Sequence, residues 1–245
     1  MAETKFPTEI VTLPSRGVLY PSDSPLAKGE IEMKYMSAKE EDILTNQTYI
    51  EKGIVIDKLI QSLIVSNIDF NDLLIGDKNG LMLAARILSY GKDYTFNFGG
   101  EEYTVDLTEY KEKDLHPELE KGINEFNFEL PHTKTNITFK LLTHKDERNI
   151  EQELKSLKRL KANESHTLTT RLKHIITSVE GDDNPKTVRD FIDNNLLAMD
   201  SLELRKYIKE ISPDIDLFFF TEGSDKSIDL PITIQFFYPD LGNRG

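Results

Sequence analysis

The chain has no cysteine and no tryptophan among its 245 residues, and only five histidines. Without cysteine there is no disulfide, no thiol nucleophile, no iron–sulfur cluster and no thiolate zinc site. Basic residues are the minority charge, 30 against 43 acidic residues, for a net charge of −13. That balance argues against a general nucleic-acid binder, because phosphate contacts need clustered Lys and Arg. Apolar runs are short and are interrupted at Asp57, Lys58, Asp77 and Lys78. None approaches the roughly 20 residues needed to span a bilayer. The start, MAETKFPTEI, lacks the basic and apolar regions of a signal peptide, so a cytosolic protein or a part of a cytosolic assembly is expected.

What is present suits a soluble globular chain: 38% hydrophobic and 30% charged residues. Glu9 to Leu13 is a short strand candidate, followed by LPSRGVLYP with its proline and glycine punctuation. EIEMKY (Glu30 to Tyr35) alternates polar and apolar, as a half-buried strand does. Ser37 with Glu40 three residues on is a capping box that starts a helix. Ile56, Leu59, Ile60, Leu63 and Ile64 share a helical face. GDKNG then reads as a loop before a helix over Leu81 to Tyr90, with Gly91 as its left-handed cap. YTFNF and YTVDL around Gly99-Gly100 read as a β-hairpin.

In the second half, EFNFELP and ITFKLL are strand candidates, and Thr143 caps the longest helical stretch. Ile150, Leu154, Leu157, Leu168, Leu172, Ile175 and Val179 form its stripe, with a polar gap at Lys161 to Ser165 where the helix either breaks or runs on. Val188 to Met199 and Leu202 to Ile211 read as two more helices, and LFFF with SIDLPITIQFF as a second hairpin.

The two halves repeat an order. IEMKYMSAKEEDIL (Ile31 to Leu44) lies over ITFKLLTHKDERNI (Ile137 to Ile150) without a gap, pairing Lys34 with Lys140, Ser37 with Thr143 and Glu40 with Asp146. Leu73-Leu74 with Asp77 matches Leu196-Leu197 with Asp200, and Leu83 with Arg86 matches Leu202 with Arg205. Each half closes with a hairpin. The expected fold is therefore α+β, with two diverged strand–helix–hairpin units: residues 1–122 with hairpin 94–107, and residues 123–245 with the long helical stretch and hairpin 217–237. A lone hairpin is marginal in water, so the two hairpins are expected to pack on each other or on the helices.

No constellation looks catalytic. The histidines do not pair at helical spacing, and Glu147 three residues after His144 is ordinary dipole compensation at a helix start. No phosphate loop, GxGxxG or GxSxG element occurs. A non-enzymatic protein with no cofactor and no metal is expected. The basic cluster Lys155, Lys158, Arg159, Lys161, Arg171 and Lys173 is either a solvated helix face or a docking face for an acidic partner helix. The phenylalanines of LFFF and of the ending QFFYP, with Phe236, Phe237 and Tyr238, are either core or an aromatic anchor for a partner. Lys155, Lys158, Arg159, Lys161, Phe236, Phe237 and Tyr238 are thus the candidate partner-binding residues.

LPSRGVLYP, EIEMKYMSAKEEDIL, LLIGDKNGLMLAARILSYGKDY, FKLLTHKDERNIE and DLPITIQFFYP, in this order, resemble the baseplate hub assembly proteins of T-even-type contractile-tailed bacteriophages over nearly the whole chain. The resemblance implies a viral tail protein that assembles the central baseplate hub, as chaperone or hub component. Its implied partners are hub subunits and the tape-measure protein. Nucleic acid, membrane and small-molecule substrates are not implied. Its place would be the host cytoplasm during assembly, or the virion baseplate. Members of that family often carry CxxC pairs at two hairpin tips, forming a zinc ribbon. Here the tips read FGGEEY (Phe98 to Tyr103) and FTEGSD (Phe220 to Asp225). A metal-free, zinc-ribbon-like pair is then expected to be held by aromatic packing of Phe96, Phe98, Tyr103, Phe218 and Phe220, in place of the roughly 10 kcal/mol or more that structural zinc supplies. The competing expectation is a degenerate zinc-ribbon adaptor that binds nucleic acid.

Overall fold

The computed structural model describes residues 7–160, 166–221 and 227–238. It is an α+β arrangement in which short antiparallel sheets flank helices, as the periodicities predict. Among the described residues no helix is long and apolar enough to cross a membrane.

The first half opens with β1 (Thr8–Thr12) and β2 (Glu30–Lys34), paired antiparallel from Thr8 opposite Lys34 to Thr12 opposite Glu30. β2 buries Ile31 and Met33 and leaves Glu30 out, the period-two pattern of a one-faced strand. Helix α1 (Ala38–Leu44) follows, then α2 (Gln47–Lys52), which Asn46 caps by accepting the Tyr49 N–H. In α3 (Val55–Leu63) the buried side chains are Val55, Leu59, Ile60 and Leu63, one face of an amphipathic helix. Helix α4 (Ile75–Tyr90) leads into β3 (Asp93–Phe98) and β4 (Glu101–Asp106). Their turn holds Gly99 at φ 63° and Gly100 at φ 91°, the pair of positive φ values that a two-residue type I′ hairpin needs.

The second half has a three-stranded sheet of β5 (Phe126–Glu129), β6 (Asn136–Phe139) and β7 (Ile176–Val179), with β6 central. Helices α5 (His144–Leu160) and α6 (Thr167–Ile175) lie between β6 and β7. Then come α7 (Pro185–Asn194), α8 (Ala198–Ile211), the pair β8 (Phe218–Phe220) and β9 (Ser227–Asp229), and the single-turn α9 (Ile234–Phe237). One continuous set of buried apolar side chains runs through both halves, from Leu13 and Ile31 through Leu81 and Phe139 to Phe236 and Phe237.

Four expectations are corrected. GDKNG is not a loop but the start of α4. Gly76 is required there because the helix presses on the 213–214 backbone: a Cβ at 76 would sit 1.8 Å from the Pro213 carbonyl oxygen. Gly91, at φ 80° and ψ −177°, ends α4 outside the left-handed helical region. Val179 belongs to β7, not to a helical stripe, because ITSV is rich in β-branched residues and pairs with β6. The last hairpin stops at Asp229; Pro231 lacks the N–H a ladder needs, and Thr233 caps α9 by accepting from Gln235 N–H. The gap at Lys161 to Ser165 lies outside the described residues.

The two hairpins meet, as their marginal independence predicted, through Phe219. Its ring lies edge-on to Phe96 at 4.8 Å and Phe98 at 5.3 Å, and 5.3 Å from Tyr103. Phe218 and Phe220 instead pack on each other on the opposite face, and Phe220 is 54% exposed. The aromatic contribution of this strand is therefore shifted by one residue from the expected set, which in a strand exchanges faces. Most of the second tip, residues 222–226, lies outside the described residues.

Candidate partner-binding cleft

The corresponding residues of the two halves build the same local devices. In the first, Glu40 receives the Lys34 ammonium at 2.8 Å, the Ser37 N–H at 3.0 Å and the Ser37 hydroxyl at 2.5 Å. In the second, Asp146 receives the Lys140 ammonium at 2.7 Å and the Thr143 N–H and hydroxyl, each at 3.0 Å. Burial works against both carboxylates, yet the bonds from lysine and the cap residue hold both below the usual carboxylate range. A capped helix is thereby tied to the strand before it, twice.

A second device repeats as well. Asp77 is the third residue of α4 and Asp200 the third of α8, and both are fully buried. Asp77 accepts from Ser15 N–H (2.8 Å), Ser15 hydroxyl (2.7 Å) and Tyr20 hydroxyl (2.5 Å). Asp200 accepts from His132 N–H (2.8 Å) and Thr133 N–H (3.1 Å). The residues clamped follow Leu13-Pro14 in one half and Leu130-Pro131 in the other. Each aspartate thus fixes a Leu-Pro turn between two strands to a helix start, where the dipole favours negative charge. The electrostatics differ. Burial pushes the Asp77 carboxyl up despite its donors, whereas the backbone donors hold Asp200 down against burial. The repeated Leu-Pro was the sequence signal that would have revealed this device. The proposed match of Arg86 with Arg205 fails: Arg86 is buried and donates to the Gly91 and Asp93 carbonyls, while Arg205 is exposed.

Besides the hairpin contact, the halves meet where the start of α4 reaches the β6–α5 junction. Ile75 N–H donates to Leu142 C=O at 3.1 Å, and His144 N–H to Leu73 C=O at 2.8 Å, an isolated antiparallel bridge. Lys78 lies 2.5 Å from Asp57 and 3.4 Å from His144 Nδ1. Burial and that ammonium hold the His144 imidazole below its ordinary pKa. Phe70 packs edge-on against its ring at 4.7 Å.

Beside this junction is a cleft of about 260 Å³. Leu74, Ile75, Leu141, Leu142, Leu168, Leu172, Ile175 and Ile208 line it, with Lys140, Arg171, Arg205 and Asp214. Lys140 is committed to Asp146 and Arg171 to Glu147 at 2.9 Å. Arg205 donates its Nε–H to Ser201 C=O and makes no ion pair among the described residues. Apolar walls with an accessible guanidinium suit an apolar side chain that has a carboxylate beside it.

The expected contact residues fall elsewhere. Phe236 and Phe237 are fully buried, with Phe236 edge-on to Tyr94 at 4.8 Å, so they are core and not an anchor. They are drawn in because α9 packs on α4, with the Phe236 ring against the first hairpin's Tyr94 and the Phe237 ring edge-on to Phe236. Tyr238 is half-buried against the same core. Lys155, Lys158 and Arg159 are exposed on α5, Lys155 lying 3.8 Å from Glu151, and Lys161 lies outside the described residues. Arg171 and Lys173 do not extend that basic face; they pair with Glu147 and Asp193. No group of three or more His, Asp or Glu placed to hold a metal ion occurs among the described residues. No family model, curated protein or solved structure matches the chain.

Proposed function

We propose that this chain is a non-enzymatic phage tail protein that assembles the central baseplate hub, as chaperone or hub component. It would grip a segment of a hub subunit or of the tape-measure protein in the cleft between its two units. The single observation that supports this reading is the composition of that cleft: apolar walls from α4, α6 and α8 with the accessible Arg205 among them. The ligand it suits is an apolar side chain flanked by Asp or Glu. The buried carboxylates Glu40, Asp77, Asp146 and Asp200 are all committed to cap and turn bonds, which agrees with a structural rather than a proton-transfer role. We read the two hairpins as a zinc-ribbon-shaped pair that folds without metal, and the Phe219 contacts support this. The resemblance to T-even-type hub assembly proteins supplies the class of partner, and the host cytoplasm during assembly would be the place.

Co-expression with hub and tape-measure proteins of a T-even-type phage, followed by affinity purification, tests the reading. The wild-type chain is expected to carry one of them. Arg205→Glu and Leu168→Asp, both at exposed cleft positions, are expected to lose it while keeping their fold. Capture that is indifferent to both variants would reject the cleft, and no capture of any such protein would reject the function.

A further inference from the structure

The repeated devices are not used equally, and the difference exposes a surface. The helix start Leu73-Leu74-Ile75-Gly76-Asp77 corresponds to Leu196-Leu197-Ala198-Met199-Asp200, each with its clamped aspartate in fifth place. The strand–helix junction Leu142-Thr143-His144 corresponds to Met36-Ser37-Ala38, each with its cap bonded to the acid three residues on. In the first unit, Leu73 and Leu74 are buried because that helix start docks on the second unit's junction. In the second unit the matching stretch exposes Leu197 (50%) and Met199 (60%), and Leu202 just beyond it is 43% exposed. The matching junction of the first unit is open too, with Ala38 exposed.

A contact between unlike surfaces of two equivalent units is head-to-tail. Two units joined by a two-fold axis would use both copies of the contact; among the described residues one copy is made, so one helix start and one junction remain unpaired there. Ala38 and Ala198 are first helical residues, whose N–H groups have no acceptor within their own helices. The bond pattern already made, Ile75 N–H to Leu142 C=O and His144 N–H to Leu73 C=O, translates to Ala198 N–H with Met36 C=O and Ala38 N–H with Leu196 C=O.

We propose that a second copy of this chain docks head-to-tail, Leu196–Leu197 of one molecule on Met36–Ser37–Ala38 of the next, reproducing between molecules the bridge made within each. Leu197, Met199 and Leu202 supply the apolar contact. The surfaces are complementary rather than self-complementary, so association runs to rings or open chains of molecules. This does not depend on the cleft reading, since neither surface includes a cleft residue.

Sedimentation velocity of the full chain over a concentration series tests it, with Leu197→Asp to block the helix start and Ala38→Glu to block the junction. Both positions are exposed, and circular dichroism checks the fold of each variant; Met199→Asp is a second helix-start variant. The wild type is expected to exceed twice the monomer mass as concentration rises. Each variant alone is expected to stop at the monomer. An equimolar mixture of Leu197→Asp and Ala38→Glu retains one intact surface of each kind and is expected to form a dimer and nothing larger. A wild type that stays monomeric throughout overturns the proposal. So does association that survives in the single variants, or a mixture that remains monomeric.

Discussion

Replacing Gly76 with alanine sets two effects of known size against each other. Alanine in a helix interior is favoured over glycine by about 1 kcal/mol. At this position the added Cβ would lie 1.8 Å from Pro213 O, 2.9 Å from Pro213 C and 3.1 Å from Asp214 Cα, all backbone atoms. Relief to an ordinary contact requires α4 and the 213–214 backbone to separate by roughly 1.5 Å, and overpacking of this kind costs about 1–3 kcal/mol. The same separation strains the two backbone bonds at 3.1 and 2.8 Å that join the units, each contributing about 1 kcal/mol. The net expectation for Gly76→Ala is a loss of about 2–4 kcal/mol of folding stability. Urea unfolding followed by circular dichroism would show it as a lower midpoint. Gly53 is the control, because nothing lies within 4 Å of a Cβ there and its φ of 71° leaves only a local strain. A Gly76→Ala protein as stable as the wild type, or more stable, would refute the close approach of α4 to the 213–214 backbone.

Three further outcomes follow from the geometry. Phe219→Ala should cost about 3–5 kcal/mol, because its buried ring touches both hairpins, while Phe220→Ala should stay within about 0.5 kcal/mol; thermal unfolding of the pair reads the difference. Burial and the Lys78 ammonium hold the His144 imidazole below its ordinary pKa, so the fold disfavours its protonation. Its contribution is therefore complete above about pH 6.5 and shrinks as pH falls below that value toward the folded-state pKa. Denaturation midpoints across that range should fall less steeply for His144→Gln than for the wild type, and equal slopes would contradict it. Asp200 and Asp77 should respond oppositely to acid. The depressed Asp200 carboxyl stabilises above the ordinary carboxylate pKa and loses that as pH drops toward its folded value. The raised Asp77 carboxyl favours the fold when protonated, and that contribution declines as pH rises from the ordinary value toward its folded one. Stability–pH curves of Asp200→Asn and Asp77→Asn should therefore depart from the wild type with opposite slopes.

Much of this architecture is written locally. Ser37 with Glu40 and Thr143 with Asp146 marked two helix starts, because capping chemistry is confined to four residues. Gly99-Gly100 marked a hairpin, because few residues tolerate its turn. The features that escaped are those in which distant chain decides the local outcome. GDKNG has a turn's composition, yet Pro213, far along the sequence, presses on Gly76 and makes the glycine a packing choice within a helix. Val179 fits the helical stripe of Leu168, Leu172 and Ile175 as well as a strand, and only the partner strand β6 selects the latter. The parity of Phe218, Phe219 and Phe220 depends on where β8 pairs with β9. Leu168, Leu172 and Ile175 were visible as one apolar face, but the facing wall of Leu74 and Ile208 comes from two other helices. The sequence order alone does not bring them together.

The claim that the cleft holds a partner segment can be tested by photo-crosslinking from inside it. A photoreactive amino acid at Leu168, in the cleft and 44% exposed, is compared with one at Val65, outside it and 48% exposed. Both chains are irradiated during co-expression with baseplate hub and tape-measure proteins. A covalent adduct with one of these proteins is expected from position 168, absent at position 65 and abolished by Arg205→Glu. A complex that forms but crosslinks from position 65 and not from 168 would contradict it.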